Sequence, residues 1–168
     1  NIEKANSLQL DIPDTDLNML SFYGTHANEF VPSVKPIPDG IEEISSNRGS
    51  SSPQHHPFVA LIDKHFDLNH GNFVACSLMW SGSFKIGLEK DQSNQIRLNA
   101  GINEDNFDWK LEPGTIFNTP QAILLFGQNG LGEMSSLSQQ IIKDYVVESR
   151  ITKPLLTLNT WESAYFDI

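Results

Sequence analysis

The adjacent histidines His55 and His56, with His65 and His70 downstream, are the side chains best suited to hold a metal ion. Zinc needs three or four ligands converging on one point. Neighbouring side chains on an extended segment point to opposite faces, and no cysteine pair is present to complete a set. A metal site is therefore not expected. Cys76 could act as a thiol nucleophile. It lies within the apolar run Phe73-Val74-Ala75-Cys76-Ser77-Leu78 and reads better as a small buried filler on a strand. Gly127-Gln128-Asn129-Gly130-Leu131-Gly132 could cradle a phosphate ahead of a helix. It lacks the Lys-Ser/Thr of a P-loop and sits in no clear βαβ unit, so a loop entering a helix is the preferred reading. Trp80 and Trp109 suit either surface platforms for sugar rings or buried aromatics on strands, and burial is the preferred reading. Glu162 and Asp167 are carboxylates that could act as acid or base; ion pairs or helix-start positions are the plainer roles.

The bulk properties narrow the partners. The chain has 168 residues and a formal net charge of −10. Such a chain repels phosphate backbones and anionic lipid surfaces, so neither nucleic acid nor membrane is an expected partner. Neutral ligands such as sugars stay open. With 39% hydrophobic and 19% charged residues, a packed core is expected and disorder is not. No apolar stretch approaches the ~20 residues that span a bilayer. A single cysteine and the lack of any Asn-x-Ser/Thr sequon suit a reducing cytoplasm. The first and last residues look cut rather than natural.

The elements that must carry these side chains are mostly strands. Residues 19–23 read as a short strand, and the passage holding Pro32, Pro36 and Pro38 reads as a turn-laden loop ending at Asp39-Gly40. The serine-rich stretch 44–56 has the composition of a flexible linker, but it runs directly into the strand 57–62. Residues 72–80 and 83–90, separated by Ser81-Gly82, read as a hairpin. Residues 95–99 alternate as a half-buried strand does, Glu112-Pro113-Gly114-Thr115 is a turn, and the run 122–126 suits a buried central strand. The period then changes. Leu137, Ile141 and Tyr145, widened by Ile142 and Val146, predict an amphipathic helix over about 135–149, with Ser135 or Ser136 as its N-cap. Its exposed side would carry Gln139, Lys143 and Glu148. After Lys153-Pro154, residues 155–158 read as a fresh strand that follows a helix, which marks the start of a second domain.

A family resemblance rests on two blocks. Residues 47–58, Asn-Arg-Gly-Ser-Ser-Ser-Pro-Gln-His-His-Pro-Phe, resemble the RGSSSxQHNPF signature of glycoside hydrolase family 36 sandwich domains. Residues 159–167, Asn-Thr-Trp-Glu-Ser-Ala-Tyr-Phe-Asp, resemble the NNWEATYFDF that opens the catalytic barrel of that family. Between them, 77–84 resembles SLVYSGNF, 101–103 and 107–114 resemble GINP and FxWxLEPGE, and 130–135 resembles GLNGMS. Before residue 44 the match is loose, and His26 stands where a Trp is usual. Thr160 replaces the second Asn of NNW, and His56 replaces the Asn of QHN.

The resemblance implies a mainly β fold: an antiparallel β-sandwich, part of a supersandwich, with one C-terminal helix and the first strand of a (β/α)8 barrel. It divides the chain into sandwich (1–134), linker helix (135–150) and the truncated start of the catalytic barrel (151–168). It implies a fragment of a retaining α-galactosidase that removes terminal α-1,6-linked galactose from melibiose, raffinose and stachyose. No organic cofactor or metal is implied. Cytoplasmic location and a homo-oligomeric parent, a tetramer, are. Retaining hydrolysis needs two carboxyls about 5–5.5 Å apart, and in the family both are aspartates on later barrel strands. The resemblance thus puts no catalytic residue in this chain, which alone should be inactive.

The resemblance also makes Trp161 the one substrate-binding residue expected here. It would follow the first barrel strand, and barrel active sites sit at the C-terminal strand ends. An indole there offers a flat face to the C–H groups of galactose and one N–H donor. The alternative is a tryptophan that plugs the barrel end. A pocket with one wall buries little, so the chain alone is not expected to bind galactose measurably. The Arg48–His56 loop reads as rigidified by side-chain-to-backbone bonds, facing the barrel, sugar or a neighbouring subunit. The rival readings are a stand-alone carbohydrate-binding sandwich and a structural or oligomerisation domain, and the strand after Pro154 argues against both.

Overall fold

The computed structural model describes residues 1–13, 16–52, 54–147 and 156–166. Among them nine strands run in the order β1 (Asn6–Pro13), β2 (Asn18–Thr25), β3 (Asn28–Pro36), β4 (Gly40–Ser46), β5 (His55–Ile62), β6 (Phe73–Met79), β7 (Phe84–Lys90), β8 (Gln95–Ile102) and β9 (Gln121–Gly127). Helix α1 (Gly130–Ile141) follows, continued by a π-helical turn, Ile142–Val146, and a short α2 (Trp161–Ala164) comes last. The strands form two antiparallel sheets, ordered β1-β8-β7-β4 and β3-β2-β5-β6-β9.

Alternation explains how the sheets face each other. Phe84, Ile86 and Leu88 on β7 and Ile96, Leu98 and Ala100 on β8 are fully buried and meet Val59, Leu61, Cys76 and Leu78 from the other sheet in one core. The five-stranded sheet is buried on its second face too, where Ala60, Ile62, Phe73 and Ala75 pack with Leu125 and with Met134 of α1. Strands buried on both faces read as continuous apolar runs, which is why 58–62 and 73–78 show no alternation.

Several expectations need correction. The strands 72–80 and 83–90 do not form a hairpin: β6 and β7 belong to different sheets. Ser81-Gly82 lies in a corner that carries the chain across the sandwich. β7 instead forms its hairpin with β8, where Asp91 Oδ1 accepts the N–H groups of Ser93 and Gln95 at 2.8 and 2.9 Å. The run 122–126 is not central either. β9 is an edge strand, paired only to β6 among the described residues; Ala122 and Leu124 pack on the core between the sheets, Ile123 and Leu125 pack with α1, and Phe126 is exposed. Pro32 and Pro36 sit in a strand, β3, rather than a loop. β3 is at the sheet edge, where a missing N–H breaks no ladder.

The helix starts earlier than expected. Its N-cap is Asn129, and Ser135 and Ser136 lie inside α1. Loop carbonyls fix that start: Gly130, Leu131 and Gly132 donate their N–H groups to Gly71, Asp67 and Leu68 at 3.1, 2.9 and 2.8 Å. These satisfy donors that a helix N-terminus otherwise leaves open. Pro113-Gly114 forms the expected turn, with Thr115 N–H donating to Glu112 O at 3.1 Å and Gly114 at φ +82°. The fresh strand expected over 155–158 is not seen. Residue 155 lies outside the described residues, and 156–160 carry no strand pairing. A parallel strand needs neighbours reached through crossovers, and none of the described residues supplies one. Glu148 also lies outside the described residues.

Candidate functional site

Trp161 opens α2. Asn159 Oδ1 accepts its backbone N–H at 3.0 Å, and Thr160 O accepts the N–H groups of Ser163 and Ala164 at 3.2 and 2.9 Å. An Asn before a helix is suited to this because its short side chain reaches back to the first free donors. The turn then ends at Tyr165, which has φ +49°, a left-handed value that a bulky residue seldom takes. That reversal folds Tyr165 and Phe166 back onto Trp161, with ring centroids 5.7 and 5.1 Å away and near edge-on. Trp161 remains 50% exposed, and Tyr165 and Phe166 are more so. Leu156 and Leu158 are exposed as well. The segment is thus an apolar surface that includes an exposed indole. Asp167 and the side chain of Glu162 lie outside the described residues.

The second feature is an apolar groove of about 560 Å³ between the outer face of the five-stranded sheet and α1 with its π-helical turn. Phe22, Phe58, Met79, Leu125, Met134 and Ile142 line it. Only Gly130 and Met134 of α1 are buried, so Ile142, Tyr145 and Val146 project beyond the sheet they were expected to cover. His56 stands at the rim with its ring stacked on Phe30, centroids 4.0 Å apart. Its Nε2 is buried without a hydrogen-bond partner among the described residues. Desolvation, aided by the charge of His55, holds the His56 imidazole below the ordinary histidine range. His55 packs instead against the edge of Tyr23. Among the described residues no three His, Cys, Asp or Glu side chains come together as a metal site.

The third feature joins the segments that carry the family resemblance. Ser46 Oγ donates to Ser50 O at 2.7 Å, Gly49 N–H to Ser83 Oγ at 2.8 Å and Ser51 N–H to Ser81 O at 2.8 Å. Asn103 N–H reaches Ser83 O at 3.2 Å, and its Nδ2 reaches Ser46 O at 3.2 Å. The serine-rich stretch is therefore a bonded loop at one end of the sandwich, not a free linker. Trp80 lies in this cluster. It is 39% exposed, and Trp109, packed on Phe117, is 49% exposed. Both correct the expected burial, since neither belongs to one of the nine strands. Residue type alone gives no signal for that, but Ser81-Gly82 after Trp80 and Asn106 before Trp109 are turn residues that do. Cys76 is fully buried on β6, and burial pushes its thiol up to about 12. No helix among the described residues is long and apolar enough to cross a membrane.

A two-sheet antiparallel β-sandwich with one packed helix and a separate aromatic segment is the class of module that fold and site define. The sequence model described as glycosyl hydrolase family 36 N-terminal domain matches residues 1–112, and the one described as melibiase matches 116–168. The chain belongs to glycosyl hydrolase family 36. Alpha-galactosidase Mel36A of Lactobacillus acidophilus is 38% identical over 99% of this chain. Alpha-galactosidase AgaA of Geobacillus stearothermophilus is 32% identical over 98% of it. A crystal structure of an AgaA variant in complex with 1-deoxygalactonojirimycin superposes with a TM-score of 0.93 at 30% identity, covering 98% of this chain and 23% of that one. Another AgaA variant, solved with stachyose, gives 0.92. The chain spans about a quarter of the length of these relatives, 23% of each.

Proposed function

We propose that this chain forms part of a retaining α-galactosidase that releases terminal α-1,6-linked galactose from melibiose- and raffinose-type oligosaccharides. The observation that carries the reading is the succession of the two family matches, sandwich at 1–112 and melibiase at 116–168, in one chain. Relatives solved with raffinose and stachyose support the substrate class. A stand-alone sugar-binding sandwich or oligomerisation domain has no use for a melibiase segment. The two aspartates of the reaction lie outside this chain, and the chain alone turns nothing over. Trp161 is the substrate contact: its exposed indole forms one wall of a galactose pocket whose remaining walls the catalytic barrel supplies. In this reading 1–134 is sandwich, 135–150 the link and 151–168 the opening of the barrel, and the longer protein works as a cytoplasmic homo-tetramer. The test is an NMR assay of the longer protein with raffinose. Galactose released first as the α-anomer supports a retaining α-galactosidase; the β-anomer, or no release, contradicts it.

A further inference from the structure

The cleft around Trp80 is built from residues that the proposed reaction does not use. We propose that it is a second binding site, for a neutral oligosaccharide, with Trp80 as the platform. The cleft measures about 400 Å³, and Asn47, Trp80, Asn103, Asp105, Asn106 and Phe107 are among its walls. It is bounded by three segments, the loop after β4, the β6–β7 corner and the turn after β8. It therefore differs from the one-walled surface at Trp161.

The platform is fixed in place. Trp80 Nε1–H donates to Ser83 O at 3.1 Å. Gly82 lies so close to the indole that a Cβ there would come within 2.6 Å of Nε1. A ring already held in one orientation loses little freedom when a ligand stacks on it. The floor is fixed too. Asn103 is 2% exposed and spends its carboxamide at both ends, donating to Ser46 O and accepting the Asp105 N–H at 3.0 Å. That bond, with Asn106 at φ +62°, sets the turn that carries Asp105 and Asn106. The side chains of Asn47, Asp105 and Asn106 are exposed and make no hydrogen bond among the described residues.

Sugar rings match this arrangement. Their C–H faces stack on indoles, and their vicinal hydroxyls pair with carboxylate and carboxamide groups. No lysine or arginine lines the cleft, and Lys85, whose charge reaches Asp105, is paired with Glu104 at 2.8 Å and Glu43 at 3.7 Å, so an anionic ligand finds little counter-charge there. The volume falls in the range of small-molecule sites and has room for more than one hexose.

The inference stands on residues other than Trp161, so the two fail separately. The test titrates the isotopically labelled chain with stachyose, and in parallel with inorganic phosphate, and follows the indole N–H signals of Trp80, Trp109 and Trp161. The Trp80 signal and the amides of 103–107 should move saturably with a dissociation constant of about 1 mM, weak but measurable, while phosphate moves none. Asp105→Ala and Asn106→Ala should each weaken binding by about three- to tenfold, the loss of one or two hydrogen bonds. Trp80→Ala should abolish it. Because Trp80 also anchors the corner, the two exposed variants carry the test if Trp80→Ala does not fold. A Trp80 signal unmoved by stachyose, one that moves equally with phosphate, or an affinity unchanged in both exposed variants would overturn the proposal. Movement confined to Trp161 would also overturn it.

Discussion

At the scale of single residues, burial decides reactivity. Cys76 has no exposed surface and a thiol pushed up to about 12, so almost none of it is thiolate near neutral pH. A disulfide reagent at mildly alkaline pH should leave the native chain unlabelled and modify it fully in denaturant; fast native labelling would show the core to be open. Glu133 works in the opposite way. Its carboxylate accepts the N–H groups of Gln128 and Asn129, both at 2.9 Å, and these bonds hold it below its ordinary 4.5. A carboxylate whose folded value is depressed adds stability above its unfolded value and loses it as pH falls through the folded one. Glu133→Gln should therefore flatten the loss of stability in acid denaturation, and an unchanged acid limb would show the contact to be idle. The burial of Cys76 was legible from its neighbours. The reach-back of Glu133 was written into the chain as a carboxylate just inside a helix start, but the apolar stripe at 137–146 drew attention to a later start. Tryptophan says nothing of depth by itself, so residue type alone places Trp80 and Trp109 too deep; the turn residues near them point to the surface.

At the scale of elements, strand identity was clearer than strand partnership. β5, β6, β7 and β8 follow the expected segments closely, and the helix exists where its period predicts, displaced at its start. Which strands pair depends on contacts far apart in sequence, and Ser81-Gly82 can close a hairpin or turn a corner with the same residues. β1 is flanked by polar residues, although Leu8, Leu10 and Ile12 alternate in its sequence and Leu8 and Ile12 pack against the core. β3 was hidden by its prolines, which only an edge position tolerates. Two substitutions test the packing. Phe84 is fully buried where the two sheets meet, so Phe84→Ala should cost about 3–5 kcal/mol in chemical denaturation; a loss below ~1 kcal/mol would contradict the two-sheet core. Gly130 sits at φ +70° with space for a Cβ blocked by Asp67 O at 2.4 Å. Gly130→Ala should destabilise the chain by more than about 1 kcal/mol and raise amide exchange over the first turn of α1; unchanged exchange would mean that the loop 67–71 does not hold the helix.

At the scale of the whole molecule, many large apolar side chains stay exposed on the described surface. The groove beside α1, the exposed Leu156 and Leu158, and the trio Trp161, Tyr165 and Phe166 lie on elements within the melibiase match or beside it. Large apolar patches mark surfaces that a partner covers. The family was legible from motif blocks because they are short, ordered and spaced alike; the cluster they make at one end of the sandwich was not, since only the folded chain brings residues 46–51, 81–83 and 103 together. The proposed α-galactosidase role gives Trp161 one side of a galactose pocket. The most direct measurement is the rate of raffinose hydrolysis by the longer protein carrying this chain, with and without Trp161→Ala. The expected result is a fall in kcat/KM of about a hundredfold, nearly 3 kcal/mol of lost transition-state binding, with unfolding unchanged. Raffinose hydrolysis at an undiminished kcat/KM would contradict it.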